Sequence, residues 1–476
     1  MSDGLEADVV FNTPCIGFGY DDLIAIPGQA VCSSDEVELT TPFSKNLTLS
    51  SPLVVGPVKG VTEAALSIAA ALAGGIGVIH AECTPEYQAA QVLQVKQYQN
   101  GFIMDPQVMA PTDTLADMER LRQTKGITTA IITEGGKMGS KVLGIVTSRD
   151  TDFQDQSAKL SAVMTPKAKL VVGQEPITLS EACDKLRACK KGKLPIVNDA
   201  GELVAVVNRS DLRKHDKYPL AAKDPNRQLY VAAAVVPKSS ELSRVKLLVE
   251  AGVDALVLEA ASGDASQQLE FLKRVKNEYP AIDVVCGNVV TPKQAKPLLD
   301  AGTDALRVGS TVSLDSAAIS VGRPQGSAVY HVARFARDHG VPVIAGADVL
   351  NSNQISMATT LGASSVMCGT LLAGTTESAG EFHFSQGMRM KAPMASGVPS
   401  TASKGARQPP KDCAVVDKGP AADLLSTLLE GVKQNLRRLG VSSISELHEG
   451  LYQDRIRFQT RSVGMVPQGS RTLAKV

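Results

Sequence analysis

Ala305–Gly326 reads ALRVGSTVSLDSAAISVGRPQG. Ala305-Leu306-Arg307-Val308 is an apolar strand that ends at Gly309, and Gly322-Arg323-Pro324-Gln325-Gly326 opens a helix. Short apolar runs of this kind mark strands buried on both faces. The same unit recurs on either side. Strands are predicted at Pro52–Val55, Ile76–Ile79, Leu229–Ala232, Ala255–Leu258, Ile282–Val285, Pro342–Ala345 and Ser365–Cys368. Helical windows separate them, such as Thr62–Ala73 with Thr62 as N-cap, Pro85–Gln97, Ser240–Ala251 and Thr291–Ala301. Eight strand–helix units predict a TIM (β/α)8 barrel. A doubly wound open sheet is the alternative, because periodicity alone does not prove closure. In a barrel the loops after the strands carry the chemistry, so the loop that starts at Ser310 falls on the working face.

The alternation stops after Gly101 and resumes at Leu229. Between them lie two copies of one unit. The first has a helix near Leu115–Lys125, a strand Ala130–Thr133, a turn at Gly135-Gly136 and a strand ending Thr147-Ser148-Arg149-Asp150. The second has a helix Leu179–Lys190, a strand Leu194–Val197, a turn at Asp199-Ala200-Gly201 and a strand ending Asn208-Arg209-Ser210-Asp211. The shared ending is the repeat signal. The chain therefore divides into 1–103, an N-terminal arm and the first part of the barrel; 104–223, the repeat pair; and 224–476, the rest of the barrel with C-terminal helices.

Composition sets further bounds. A chain of 476 residues can bury a large core. Lys+Arg and Asp+Glu both number 49, so no net charge argues for nucleic acid or a membrane surface. The longest apolar run, Ala64–Ile79, is broken by Gly74, Gly75 and Gly77 and is too short to span a bilayer. Eight scattered cysteines fit reduced thiols, and Met-Ser-Asp-Gly-Leu-Glu is not a signal peptide; both predict a cytoplasmic protein. The six histidines show no paired-ligand spacing, so no metal site is expected.

The flanks Leu306-Arg307-Val308-Gly309 and Gly322–Gly326, with Gly287-Asn288-Val289-Val290, Leu361-Gly362-Ala363 and Leu371–Glu377, resemble the IMP dehydrogenase / GMP reductase family. The resemblance covers nearly the whole chain. The repeat pair resembles two CBS motifs forming a Bateman module, which implies ATP or GTP as ligands. On that reading Asp150 and Asp211 accept ribose hydroxyls, Arg149, Lys193 and Arg209 meet phosphates, and Thr147 lies in the same motif. The plainer reading is that Asp150 and Asp211 cap the helices that follow. The family also implies assembly into tetramers or octamers.

The family's reaction imposes requirements that this sequence can be held against. A loop cysteine attacks IMP, hydride leaves to NAD, potassium sits on the loop carbonyls, and a flap arginine activates water. Here the loop offers Ser310, Thr311, Val312 and Ser313 and no cysteine as far as Ala317. The ribose-holding aspartate of the family is replaced by Gly346-Ala347-Asp348. The NAD-binding Asp-Ser-Ser becomes Glu259-Ala260-Ala261. The flap, about 386–420, holds Arg407 but no Arg-Tyr pair. Gly369-Thr370, at a predicted helix start, keeps a possible phosphate contact; a cap by Thr370 is the plainer reading.

Together these gaps imply a noncatalytic relative that senses purine nucleotides and assembles with itself or with an active relative. The alternative is an active NAD-dependent IMP dehydrogenase with a remodelled site, which needs NAD, potassium and a nucleophile at Cys286 or Cys368. A third reading is a barrel enzyme for another phosphorylated ligand, using Gly369-Thr370 with Lys59 or Glu259.

Overall fold

The structure is a computed structural model. It describes residues 5–461 apart from 13–15, 31, 99–101, 104–105, 126–128, 152–154, 176, 178, 209–217, 226–227, 261–264, 310–321, 347–348, 386 and 393–413. The chain forms two compact units, one of residues 1–97, 220–222 and 229–476, the other of 98–219 and 223–228.

The first unit is a closed parallel barrel of eight strands. They are β1 (Leu53–Val55), β2 (Ile76–Ile79), β3 (Val231–Val235), β4 (Ala255–Leu258), β5 (Asp283–Val289), β6 (Ala305–Val308), β7 (Val343–Ala345) and β8 (Ser365–Cys368). Closure comes from the pairing of β8 with β1, Val366 opposite Leu53 and Cys368 opposite Val55. The open-sheet alternative is thereby excluded. Every one of these strands is buried along nearly its whole length, as a sheet covered by helices requires.

The interior is filled by alternate strand residues, among them Val54, Val78, Ala232, Ala234, Val257, Val285, Ala305, Ile344 and Met367. Several are alanines, which leaves room for bulk from elsewhere. Phe43 and Leu49 supply it from a short hairpin, Thr41–Pro42 paired with Thr48–Leu49. Asp283 at the start of β5 holds that hairpin: it accepts from Ser44 Oγ (2.5 Å), Asn46 N (3.1 Å) and Asn46 Nδ2 (2.7 Å).

Element limits depart from the sequence in three instructive places. Thr62 does not cap the helix Ala64–Leu72; its hydroxyl donates to the Gly56 carbonyl at 2.6 Å, and Glu63 stands at the N-cap. β3 begins at Val231, where its N–H reaches Asp254 Oδ2 at 2.8 Å, and runs on to Val235. The expected helix after Gly369 is only a 3-10 turn, Thr370–Leu372. Thr375 Oγ1 donates to the Leu372 carbonyl at 2.9 Å, and Gly374 takes the left-handed conformation (φ 85°), so the turn does not propagate.

The second unit contains two four-stranded sheets. In one, Val142–Thr147 pairs antiparallel with Thr129–Thr133, which pairs parallel with Val108–Met109. In the other, Leu203–Asn208 pairs with Lys193–Val197, which pairs with Gly173–Gln174. Helices Leu115–Lys125 and Leu179–Cys189 occupy equivalent places. Each sheet is completed by a strand from beside the other repeat: Phe102–Ile103 joins Leu203–Asn208, and Thr165–Pro166 joins Val142–Thr147.

Candidate functional site at the barrel mouth

β6 carries an arginine into the barrel. Arg307 is 2% exposed, and its guanidinium Nη1 lies 3.2 Å from Glu259 Oε1, at the end of β4. Its Nε has no hydrogen-bond partner among the described residues, and neither has Asn288 Oδ1 on β5. A buried guanidinium is costly unless paired, so Glu259 is bound to a structural duty.

The backbone closes around this side chain. A Cβ at Gly287 would lie 2.6 Å from the Arg307 carbonyl oxygen. A Cβ at Gly346 would lie 2.9 Å from Arg307 Cγ and 2.7 Å from the Gly309 carbonyl oxygen. Gly346 N–H donates to the Val308 carbonyl at 2.7 Å, which sets that close approach. Gly309 itself turns with φ 87°, and Gln325 Nε2, in the first turn of the helix Gln325–Arg337, donates to the Val308 carbonyl at 2.9 Å. The position at which the resemblance places a ribose-holding aspartate is thus one where this backbone admits no side chain.

The remaining expected residues divide clearly. Ser310, Thr311, Val312, Ser313, Ala261, Ala347, Asp348, Arg209, Asp211 and Arg407 lie outside the described residues. Gly369 and Thr370 sit after β8, where the exposed Thr370 begins the 3-10 turn rather than a helix; Gly369 stands before it with no side-chain cap. Lys59, offered as a catalytic cation, is half-exposed and paired with Glu82 at 3.1 Å. In the second unit the Thr147 N–H and Oγ1 both donate to Asp150 Oδ2, at 2.8 and 2.7 Å. Asp150 is thereby tied back to the start of the helix Ser148–Thr151, and Thr114 with Asp117, whose N–H also reaches Thr114 Oγ1 at 3.4 Å, completes a capping box at Leu115–Lys125. Lys193 begins the strand Lys193–Val197, opposite Asn208.

Neither cysteine offered as a replacement nucleophile is suited to the role. Cys286 on β5 and Cys368 on β8 are buried, and burial pushes each thiol up to about 12. The thiolate is the reactive form, so both are packing residues. The sequence reading passed over Cys83, a part-exposed thiol after β2. It also gave no role to Arg307, although a charge inside an apolar strand was its own signal. Among the described residues no group of His, Cys, Asp or Glu is arranged to hold a metal ion, and no helix is long and apolar enough to cross a membrane.

A profile of the IMP dehydrogenase / GMP reductase domain matches residues 17–466. The chain belongs to this family. It is 40% identical to inosine-5'-monophosphate dehydrogenase of Toxoplasma gondii, with 97% of this chain and 96% of that protein covered. It is equally identical to the dehydrogenase of Schizosaccharomyces pombe, with 98% and 94% covered. Among solved structures it is similar to a cysteine-to-alanine variant of Trypanosoma brucei GMP reductase in complex with guanosine 5'-monophosphate: TM-score 0.79, 31% identity, 95% of this chain and 97% of that chain. The same enzyme in complex with guanosine 5'-triphosphate gives a TM-score of 0.74 at 31% identity, with 94% and 99% covered.

The family implies NAD at the end of β4, and the described residues there do not fit it. The Glu259 carboxylate is turned to Arg307, and Ala260 offers no hydroxyl to a ribose. The potassium site implied on the loop carbonyls falls within residues 310–321, outside the described residues.

Proposed function

We propose that this chain is a family member that does not perform the cysteine chemistry on IMP, and that it works by binding purine nucleotides in its two-repeat unit. The observation that carries this reading is at the barrel mouth. Arg307 and Gly309 crowd a side chain at position 346, which supports the reading that the family's ribose contact is not made here. The loop 310–321 has no cysteine, and the two thiols on neighbouring strands are buried and inert. The nucleotide half rests on the paired repeats and on a related enzyme that holds guanosine 5'-triphosphate. ATP or GTP would lie between the repeats, with Arg149, Lys193 and Arg209 toward phosphate. The protein would be a cytoplasmic homotetramer or octamer, or would co-assemble with an active relative.

The relatives' names favour a second reading, an active IMP dehydrogenase making the precursor of guanine nucleotides, because identity is 40% over nearly the full chain. One experiment separates the two. Purified protein is given IMP, NAD and potassium, and reduced nicotinamide is followed by absorbance. No turnover is expected. GTP or ATP at a hundredfold excess over its Kd should raise stability by about 2.7 kcal/mol, read as a rise in Tm. Turnover at an ordinary enzymatic rate, on the order of 1 per second or more, overturns the proposal and establishes the second reading.

A further inference from the structure

A cavity of about 400 Å³ lies at the end of the barrel away from the mouth, where β7 and β8 begin. Its walls are the hairpin Thr41–Leu49, the turn from Arg337 to Val343, the turn from Gly362 to Ser364, and the helix Ile444–Tyr452. That volume suits a small organic molecule. All four segments belong to the first unit, so a ligand here does not depend on the nucleotide reading above.

The local sequence builds both the space and its floor. Gly362 takes φ 101°, and a Cβ there would meet Tyr452 Oη at 2.6 Å and Ala333 Cβ at 3.0 Å. Glycine is what lets the Tyr452 side chain lie against this turn. Arg337, in the last turn of the helix Gln325–Arg337, sits over that ring with its guanidinium carbon 4.4 Å from the centroid. Ala333, Val341, Val343 and Ile444 line the cavity and are buried, which makes the floor apolar.

The rim carries the charge. Lys45 and Arg337 line the cavity, are exposed, and are paired with no carboxylate among the described residues. Glu449, also exposed, is the single carboxylate of the lining. His448 adds no charge: its Nε2 lies 3.0 Å from the Thr359 carbonyl oxygen, and burial keeps the imidazole below its usual range and neutral. Two hydroxyls of the hairpin are already committed, Thr41 Oγ1 to the Ser364 carbonyl and Ser44 Oγ to Asp283. Two cations against one anion leave the rim net positive. A guanidinium held over an aromatic ring keeps its N–H edge for bidentate recognition of an oxyanion.

We propose that this cavity binds a small organic oxyanion with an apolar body, its charged group on Arg337 and Lys45 and its apolar part on the floor. A carboxylate and a phosphate monoester share that chemistry. The test titrates naphthoate, naphthyl phosphate and the neutral naphthamide into the full-length protein by calorimetry. At least one of the two anions should bind at one site per chain, with the amide weaker by about tenfold or more. The tighter anion identifies the charged group that the site prefers. Arg337→Met and Lys45→Met change exposed side chains, so both should fold, and each should weaken the anion by about tenfold. Glu449→Gln removes the one repulsive charge and should tighten it by about twofold to fivefold. The proposal is overturned if neither anion binds at millimolar concentration, if the amide binds as well as the anions, or if binding survives both Met variants unchanged. Weaker binding in Glu449→Gln also overturns it, because the rim would then be selecting a cationic group.

Discussion

Arg307 places a positive charge where a barrel is normally dry. Its Nη1 has Glu259 at 3.2 Å and its Nε has no described partner, so the guanidinium is held by little more than one carboxylate. Removing one partner of a buried pair strands the other, while replacing both partners by apolar bulk is often neutral. Arg307→Ala should therefore lower stability by roughly 3 kcal/mol, read as a fall in the urea midpoint at unchanged m. The double variant Arg307→Met with Glu259→Leu, which keeps the volume and removes both charges, should lose much less. Equal losses in the two variants would mean that the charge itself stabilises the barrel. The residue scale is also where the sequence was least legible. The absence of cysteine from the loop after β6 is plain in the sequence. The crowding at Gly346 is not, because it depends on where β6 sends Arg307 and on the Gly309 carbonyl. The Glu63–His80 pair was missed for the same reason: Glu63 reaches His80 from another strand–helix unit, and no spacing along the chain announces it.

Elements were far more legible. All eight barrel strands appear in the sequence as short apolar runs, because burial on both faces removes any alternation. The departures came where a side chain competes with the backbone. Thr62 turns to Gly56, and Thr375 takes the Leu372 carbonyl that a longer helix would have used. Two-residue strands such as Phe102–Ile103 and Thr165–Pro166 carry no period at all, so the exchange of strands between the repeats was invisible. The hairpin Thr41–Leu49 was hidden too, since its place is set by Asp283 across the barrel. Asp283→Ala would leave Ser44 Oγ and both Asn46 donors without their acceptor. The expected cost is about 2–3 kcal/mol, and amide hydrogen exchange over residues 41–49 should quicken ahead of the rest of the barrel. Uniform protection across the barrel in that variant would show the hairpin is held by Phe43 and Leu49 alone.

At the scale of the molecule, two folding units share one chain. The barrel needs no edge protection, because β8 pairs with β1 and leaves no strand unpaired. One small sheet joins early and late segments of the described chain, where Arg457–Thr460 pairs with Leu5–Glu6 and with Leu23–Ala25. The two-repeat unit has its own apolar clusters, one built on Ile132, Val146 and Leu160 and another on Leu186, Leu194 and Val207. A chain that lacks residues 98–219, with residue 97 rejoined to residue 220 by a short glycine–serine link, should still form the barrel. Calorimetry should then show a single cooperative transition, with any nucleotide-dependent rise in Tm abolished. Failure of that chain to fold would mean that the barrel depends on the second unit.

Asp254 explains why such an excision is expected to succeed. Both its oxygens lie 2.7 Å from Lys96 Nζ, in the last turn of the helix before the chain leaves the barrel. One of them, Oδ2, also receives the Val231 N–H at 2.8 Å, at the start of the strand on which the chain returns. Departure and return are clipped to a single carboxylate. In polymer terms the whole second unit is one loop whose ends are already joined, and the entropy of closing a loop grows only with the logarithm of its length. The barrel therefore tolerates a long loop about as well as a short one. A lineage is free to enlarge, exchange or discard what lies beyond the clip, and the two units can change at separate evolutionary rates.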